Sequence, residues 1–364
     1  MAPDWQALRQ LRQGFLQEGE LPARAYWEGP LRAGRGEEAA RRLLASYDAT
    51  LAQRIGWKWD AVLHELRARG WSPPPAVAVV DWGCGTAVAA RRFLHHFGAC
   101  CHITGLFLYD RSPLAVQFAR AQLAREWPEV PVVVAPAERL PHQQALVLLS
   151  HVLGELDASQ LRRLLAWLRL QQAVLWVEAG THALSHRLVA VREQLRSHFH
   201  VVAPCPHQAA CPLLQPPHAR HWCHHFAPSP PEAFTTAFWA TCRRQLGIDL
   251  RRLPVSYLVL DKRPHGAQAP PGARLLGAAR CSQVEARATV CAPDGQLYTV
   301  RVLKSTHPQL YRRLKHPGFA EFLESTWPPG PTAGAAAAQT PPPVPGGETG
   351  RRRRSRGRKR PAEP

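Results

Sequence analysis

VVDWGCGTAVAARRFL, residues 79–94, passes from an apolar run through a Gly-Cys-Gly turn into a segment with helical spacing. AVAVVDW (76–82) is continuously apolar up to Asp81, the pattern of a strand buried on both faces. Gly83 and Gly85 let the chain turn tightly and approach a ligand closely. Working outward, helical and apolar runs alternate: helix 86–97, strand 101–110, helix 112–126, strands 130–135 and 145–153, helix 159–170, strand 173–180, helix 182–198. That order predicts an α/β, doubly wound sheet. Asp110 closes the second strand, where a carboxylate can accept both hydroxyls of a ribose. The alternative is an ordinary strand-to-helix turn with a capping Asp.

The sequence divides into five parts. Residues 1–72 form an N-terminal helical region, in which 41–70 has apolar residues at three- and four-residue intervals, ended by Pro73–Pro75. Residues 73–200 hold the alternating strands and helices, and 201–265 a cysteine-rich insertion with a last sheet strand at 254–263. Residues 266–327 are β-rich, with a turn at Pro293-Asp294-Gly295. Residues 328–364 are rich in Pro, Ala and Gly, end in RRRRSRGRKR, and are expected to be disordered. No apolar run reaches 18 residues, so no membrane partner is expected. The start, MAPDWQALRQ, has no apolar signal core, and Asp4, Glu18 and Glu20 argue against a transit peptide. A soluble, cytoplasmic, bacterial-type chain is expected.

The formal net charge is +19, of which RRRRSRGRKR supplies 8, leaving 19 − 8 = +11 for the rest. Of the 46 basic residues 41 are Arg, whose planar fork matches phosphate geometry. This points to a nucleic-acid partner held through its phosphates; Arg-biased codon usage is the plain alternative.

After strand four the chain reads Ser150-His151-Val152-Leu153-Gly154-Glu155-Leu156. His151 and Glu155 are the candidate catalytic bases; a helix start with Glu155 in its first turn is the structural alternative.

APCPHQAACPLLQPPHARHWCHHF (203–226) holds three of the nine cysteines. Cys205, Cys211 and Cys223 lack the close ligand pairs usual in zinc sites. Thiolates hold iron–sulfur clusters and zinc alike. Zinc on three cysteines and one of His207, His221 or His224 is the second reading. Cys84, Cys100 and Cys101 read as core thiols and Cys242 and Cys281 as bystanders, with Cys281 the rival for a fourth ligand. The C-x3-C-x2-C loop of radical chemistry is absent.

The strand, D-x-G-x-G turn, helix and strand-end acid resemble a class I S-adenosylmethionine-dependent methyltransferase over about residues 76–200. The resemblance implies a Rossmann-like doubly wound sheet, with S-adenosylmethionine held by Asp81, Gly83, Gly85 and Asp110. The third glycine of that pattern is Ala87 here. The acid expected after strand three is Pro136, so Glu138 is taken as its substitute. The ordered set S-H-V-L-G-E-L, V-E-A-G-T, A-P-C-P-H-x3-C-P, W-C-H-H-F, S-Y-L-V-L and C-A-P-D-G is similar to a more specific group. That group is the methyltransferase-like family of mitochondrial ribosomal small-subunit proteins and their bacterial relatives. It implies a [4Fe–4S] cluster on Cys205, Cys211, Cys223 and Cys291, small-subunit rRNA as partner, a role in ribosome assembly, and a monomer. Two rivals follow: an active rRNA methyltransferase, and a zinc-containing RNA-binding module with a vestigial nucleotide pocket.

Overall fold

The computed structural model describes residues 2–16, 34, 36–264 and 272–323; the basic tail expected over 328–364 lies outside them. Helices α1 (Trp5–Leu16), α2 (Gly36–Ala49) and α3 (Leu51–Ala68) lead into β1 (Ala76–Trp82), α4 (Val88–Phe97), β2 (His102–Tyr109), α5 (Pro113–Glu126) and β3 (Val132–Val134). There follow β4 (Leu146–Ser150), α6 (Ala158–Leu168), β5 (Ala173–Ala179), α7 (His182–Leu195) and β6 (His200–Ala203). Beyond the cysteine loop come β7 (His225–Ala227), α8 (Glu232–Thr235), α9 (Ala237–Leu246) and β8 (Leu253–Asp261). The chain continues with β9 (Ala273–Cys281), β10 (Glu285–Cys291), β11 (Leu297–Leu303), α10 (Pro308–Lys315) and β12 (Phe322–Leu323).

The large sheet runs β3-β2-β1-β4-β5-β8-β6, with β7 also on β8. Strands β1 to β5 pair in parallel, and β8 enters antiparallel to β5. The order reverses beside β1, and at such a switch point α/β sheets bind ligands beyond their strands' carboxyl ends. One face is covered by α3, α4, α5 and α9, through Trp59, Phe93, Leu123 and Trp239 among others. The opposite face carries α6 and α7, through Leu165, Leu168, Leu188 and Leu195. The helices start where side chains satisfy their first N–H groups. Ser112 accepts from Ala115 N, Thr181 from Leu184 N, and Asp157 and Gln160 form a capping box.

The small antiparallel sheet, β11-β10-β9-β12, packs Leu275, Val290 and Val302 under Tyr311 and Leu314 of α10. It meets the cysteine loop at Gly277, whose N–H donates to His224 O at 2.8 Å. Gly277 has φ +65°, and a Cβ there would lie 2.4 Å from the His224 ring, so only glycine permits this approach.

Three expectations are corrected. The helical stretch 41–70 is two helices parted at Thr50, whose hydroxyl donates to Ser46 O at 2.7 Å. The strand expected over 145–153 stops at Ser150, because His151 takes φ +56°. Cys84 is buried as expected, but Cys101 is half-buried and Cys100 exposed in the turn after α4.

Candidate functional site

The turn between β1 and α4 is closed by strand β2. The amides of Gly83 and Cys84 donate to Tyr109 O at 2.8 and 3.0 Å. Gly85 N donates to Asp110 Oδ2 at 2.9 Å, and Ser112 N to Asp110 Oδ1 at 2.9 Å. Asp110 therefore fixes the turn while keeping carboxylate lone pairs for a ligand's hydroxyls. Gly83 has φ +72°, and a Cβ there would lie 2.5 Å from Val152 Cγ1, so the turn and the end of β4 are packed together. Ala87, where the methyltransferase pattern has glycine, sits in the left-handed region at φ +58°.

Asp81 is fully buried, with Oδ2 accepting from Ala90 N at 3.2 Å and Oδ1 without a partner. Burial, then the nearby Asp110, pushes its carboxyl up to about 8, although Ala90 N–H pulls the other way. Thr86 Oγ1 is likewise buried and unpartnered. Unsatisfied acceptors beside a glycine turn fit the cationic methionine end of S-adenosylmethionine, whose charge would ionise Asp81. Asp81, Gly83, Gly85 and Asp110 lie together at this turn. Glu138 lies in the exposed turn after β3 with no polar contact among the described residues.

The β4 turn is held from β5. Glu178 Oε1 accepts from the amides of Val152 and Leu153 and from Trp176 Nε1 at 3.0, 2.9 and 2.8 Å. Burial pushes Glu178 up to about 7. From the other side α3 delivers Trp59, whose Nε1 donates to Ser150 Oγ at 3.0 Å. Its neighbour Lys58 is 7% exposed. Burial, then Arg54, brings the Lys58 ammonium down to about 7 against the pull of Glu178. His151 Nε2 is buried without a partner. Burial, Lys58 and Arg54 hold its ring neutral. Glu155 meets solvent on one side, which tempers an upward shift caused by surrounding protein and then Asp110. Lys58, Glu155 and Glu178 are thus the groups shifted towards neutrality here, and Lys58 was missed in the sequence. Its signal was a lysine on the face of α3 that also carries Val62, Glu65 and Arg69.

The second site lies across β8. Cys205, Cys211, Cys223 and Cys291 line one cavity, with Leu213, Leu276 and Leu297 as apolar wall. Cys223 O accepts from Ser185 Oγ at 2.8 Å and Ser256 Oγ at 2.7 Å. Cys291 ends β10, next to the hairpin that turns at Pro293-Asp294-Gly295. Its Sγ is 3.3 Å from His207 Nε2, and Cys223 Sγ is 3.8 Å from His225 Nε2. Burial, then the charge of Cys205, pushes Cys211 up to about 12, and Cys223 and Cys291 are raised further by the same causes. Crowded in a dry cavity, these thiols stay protonated unless a cation lets them ionise together. Among the described residues no three Cys, His, Asp or Glu side chains close on one ion-sized point. The four thiols line the cavity without such convergence.

Of the three histidines expected as zinc ligands, His207 alone lines the cavity. His221 Nε2 accepts from Arg220, and His224 stacks on Trp222 with centroids 4.3 Å apart. Cys281, the rival fourth ligand, is exposed and outside the cavity, and Cys242 is a buried residue of α9.

The model of one family, described as mitochondrial small ribosomal subunit Rsm22, matches residues 59–321, more than half of the chain. The chain belongs to the Rsm22 family. Among solved structures, a putative RNA methyltransferase from Pyrococcus horikoshii is 12% identical, over 56% of this chain and 81% of that one, with TM-score 0.34. A complex of the Haloferax volcanii Trm112 methyltransferase activator with its putative methyltransferase is 18% identical over 60% and 96%, with TM-score 0.32. No curated protein sequence matches. The methyltransferase-like architecture of this Rsm22 family chain rests on its own strand order, with a parallel-dominated sheet and β8 inserted antiparallel beside β5.

Proposed function

We propose that this Rsm22 family chain is a methyltransferase-like protein of the small ribosomal subunit that acts, as a monomer, on or with rRNA during assembly. In this reading S-adenosylmethionine binds at Asp81, Gly83, Gly85 and Asp110, and a [4Fe–4S] cluster on Cys205, Cys211, Cys223 and Cys291. The observation that carries it is the gathering of four cysteines, from the loop after β6, the approach to β7 and the end of β10, around one cavity. The family supplies the ribosomal context, and the charge of +11 outside the Arg run supplies attraction to phosphates. The cluster, when bound, supplies a rigid anionic cross-link; the chain's own residues position the β4 turn next to the glycine turn.

Catalysed methyl transfer to rRNA is a second reading, favoured by Lys58 and Glu155 beside the β4 turn. One experiment separates the readings. Protein purified without air is expected to be brown, with about four irons and four sulfides per chain, and bleached by dithionite or air. Colourless protein with one zinc overturns the cluster. Incubated with labelled S-adenosylmethionine and small-subunit precursors, the same sample transfers label to rRNA only in the second reading.

A further inference from the structure

Two arginines line the cysteine cavity, Arg192 of α7 and Arg274 of β9, and they are 2% and 1% exposed. Arg192 donates through Nη2 to His207 O at 3.3 Å and Ala209 O at 2.9 Å, and pairs with Glu193 through Nη1. Arg274 spends its Nη groups on Glu65, on Tyr257 Oη at 2.7 Å and on Pro204 O at 3.3 Å. Each guanidinium is thereby clamped, yet each has a buried Nε–H with no partner. Among the described residues Arg54, Arg91 and Arg169 also have a buried Nε without a partner; Arg192 and Arg274 are the two that line a cavity with four cysteines. His207 Nε2 approaches Cys291 Sγ at 3.3 Å in the same wall.

The charges point the same way. Arg69, Arg192, Arg196 and Arg274 pair with Glu65 and Glu193, and four guanidiniums against two carboxylates leave two net positive charges. A positive surround repels a bare metal cation. It stabilises a centre in which four thiolates outweigh a dicationic core.

We infer that Arg192 and Arg274 are the charge-balancing residues of a sulfur-ligated metal centre in this cavity, each supplying its free Nε–H to a sulfur. The inference rests on the reading of Cys205, Cys211, Cys223 and Cys291 as ligands. Hydrogen bonds and cations at the sulfurs favour the more negative, reduced state and so raise a cluster's potential. The clamps give the pair a second consequence. Arg274 joins the centre to Glu65 of α3 and Arg192 joins it to α7, so both layers flanking the sheet are fastened to it.

The test uses the full chain, purified without air, as wild type, Arg192→Gln and Arg192→Lys. Metal content, the rate of metal loss to excess EDTA, the midpoint potential and near-UV circular dichroism are measured on each. Arg192→Gln, which removes the charge and the Nε–H, is expected to lose metal about tenfold faster. Its reduction should weaken about tenfold, a fall of about 59 mV for a one-electron couple. Arg192→Lys keeps the charge, so its potential stays near that of wild type while metal loss is still faster. If Arg192→Gln does not fold, Arg192→Lys carries the test alone: loss at the wild-type rate overturns the Nε–H assignment. Equal potentials in all three proteins overturn the charge assignment, as do equal shifts in both variants, which would mark Arg192 as only a tie to the His207 and Ala209 carbonyls. Wild-type protein that takes up iron and sulfide but shows these null results leaves the ligand reading intact. Wild type that takes up neither iron–sulfide nor zinc overturns both.

Discussion

Ser256 donates its hydroxyl to the carbonyl oxygen of Cys223 at 2.7 Å. Ser256 stands opposite Glu178 in the β5–β8 register, and Glu178 holds the amides of Val152 and Leu153. The cysteine loop and the β4 turn are therefore fixed from adjacent strands. Ser185 supplies a second donor to the same carbonyl at 2.8 Å. Ser256→Ala or Ser185→Ala alone is expected to cost ~0.5–1.5 kcal/mol, since the other donor remains. The double variant should cost more than the sum, because it strands a buried carbonyl. Denaturant midpoints in a double-mutant cycle decide it, and strict additivity would contradict the shared acceptor.

The cavity separates ligands from bystanders. Cys205→Ser, Cys211→Ser, Cys223→Ser and Cys291→Ser should each lose bound metal and lower stability, because ligation and folding are coupled. Cys281→Ser, at an exposed residue outside the cavity, should retain both. Metal counts and thermal melts under anaerobic conditions are the measurement. Metal that survives Cys291→Ser but not Cys281→Ser would reverse the assignment.

The glycine turn carries strain at one place and none to spare at another. Ala87 is an L-residue at φ +58°, so Ala87→Gly should relieve it and raise stability by up to ~1 kcal/mol, the loss of a small buried methyl notwithstanding. Gly83→Ala should do the opposite, by ~1–3 kcal/mol, since its Cβ would meet Val152 Cγ1 at 2.5 Å. S-adenosylmethionine binding by calorimetry should weaken in Gly83→Ala and persist in Ala87→Gly. In Asp110→Ala it should fall by ~1.5–3 kcal/mol.

What was legible was local in origin. The run from Val79 to Asp81 and the break at Gly83 state a strand and a turn without help from the rest of the chain. The end of β4 was not legible, because the amides of Val152 and Leu153 leave the strand for a carboxylate 25 and 26 residues away, Glu178. Cys100 and Cys101 look alike in sequence, and only the turn that follows α4 exposes the first. Arg192 reads as one charge among several on an amphipathic helix. Its burial arises when the loop carrying His207 and Ala209 folds over it. The four cysteines were readable as a set only through likeness to a family, since nothing in their spacing brings Cys291 to Cys205.

Asp81 makes the last expectation, a pH dependence of known sign. Its folded carboxyl is raised to about 8 by burial, against ~3.9 unfolded. Between these values the folded chain holds a proton that the unfolded chain has released. Its contribution is thus fully present below pH ~4 and lost as pH rises towards 8, at up to ~1.4 kcal/mol per pH unit. Glu178, raised to about 7, acts in the same sense. Lys58, lowered to about 7, acts in the opposite sense: its contribution is present above the ordinary lysine range and lost as pH falls through 7. Asp81→Asn is neutral at every pH and its amide oxygen can still accept from Ala90 N. It should match wild type below pH ~4 and exceed it by a growing margin up to pH 8, as read from denaturant midpoints. The same proton links stability to function. A cationic ligand at the turn must ionise Asp81, so S-adenosylmethionine should bind wild type more tightly at pH 8 than at pH 6, releasing up to one proton. Calorimetry in buffers of differing ionisation enthalpy measures that release, and a variant advantage or an affinity that does not grow with pH would mean that Asp81 is already ionised in the free protein.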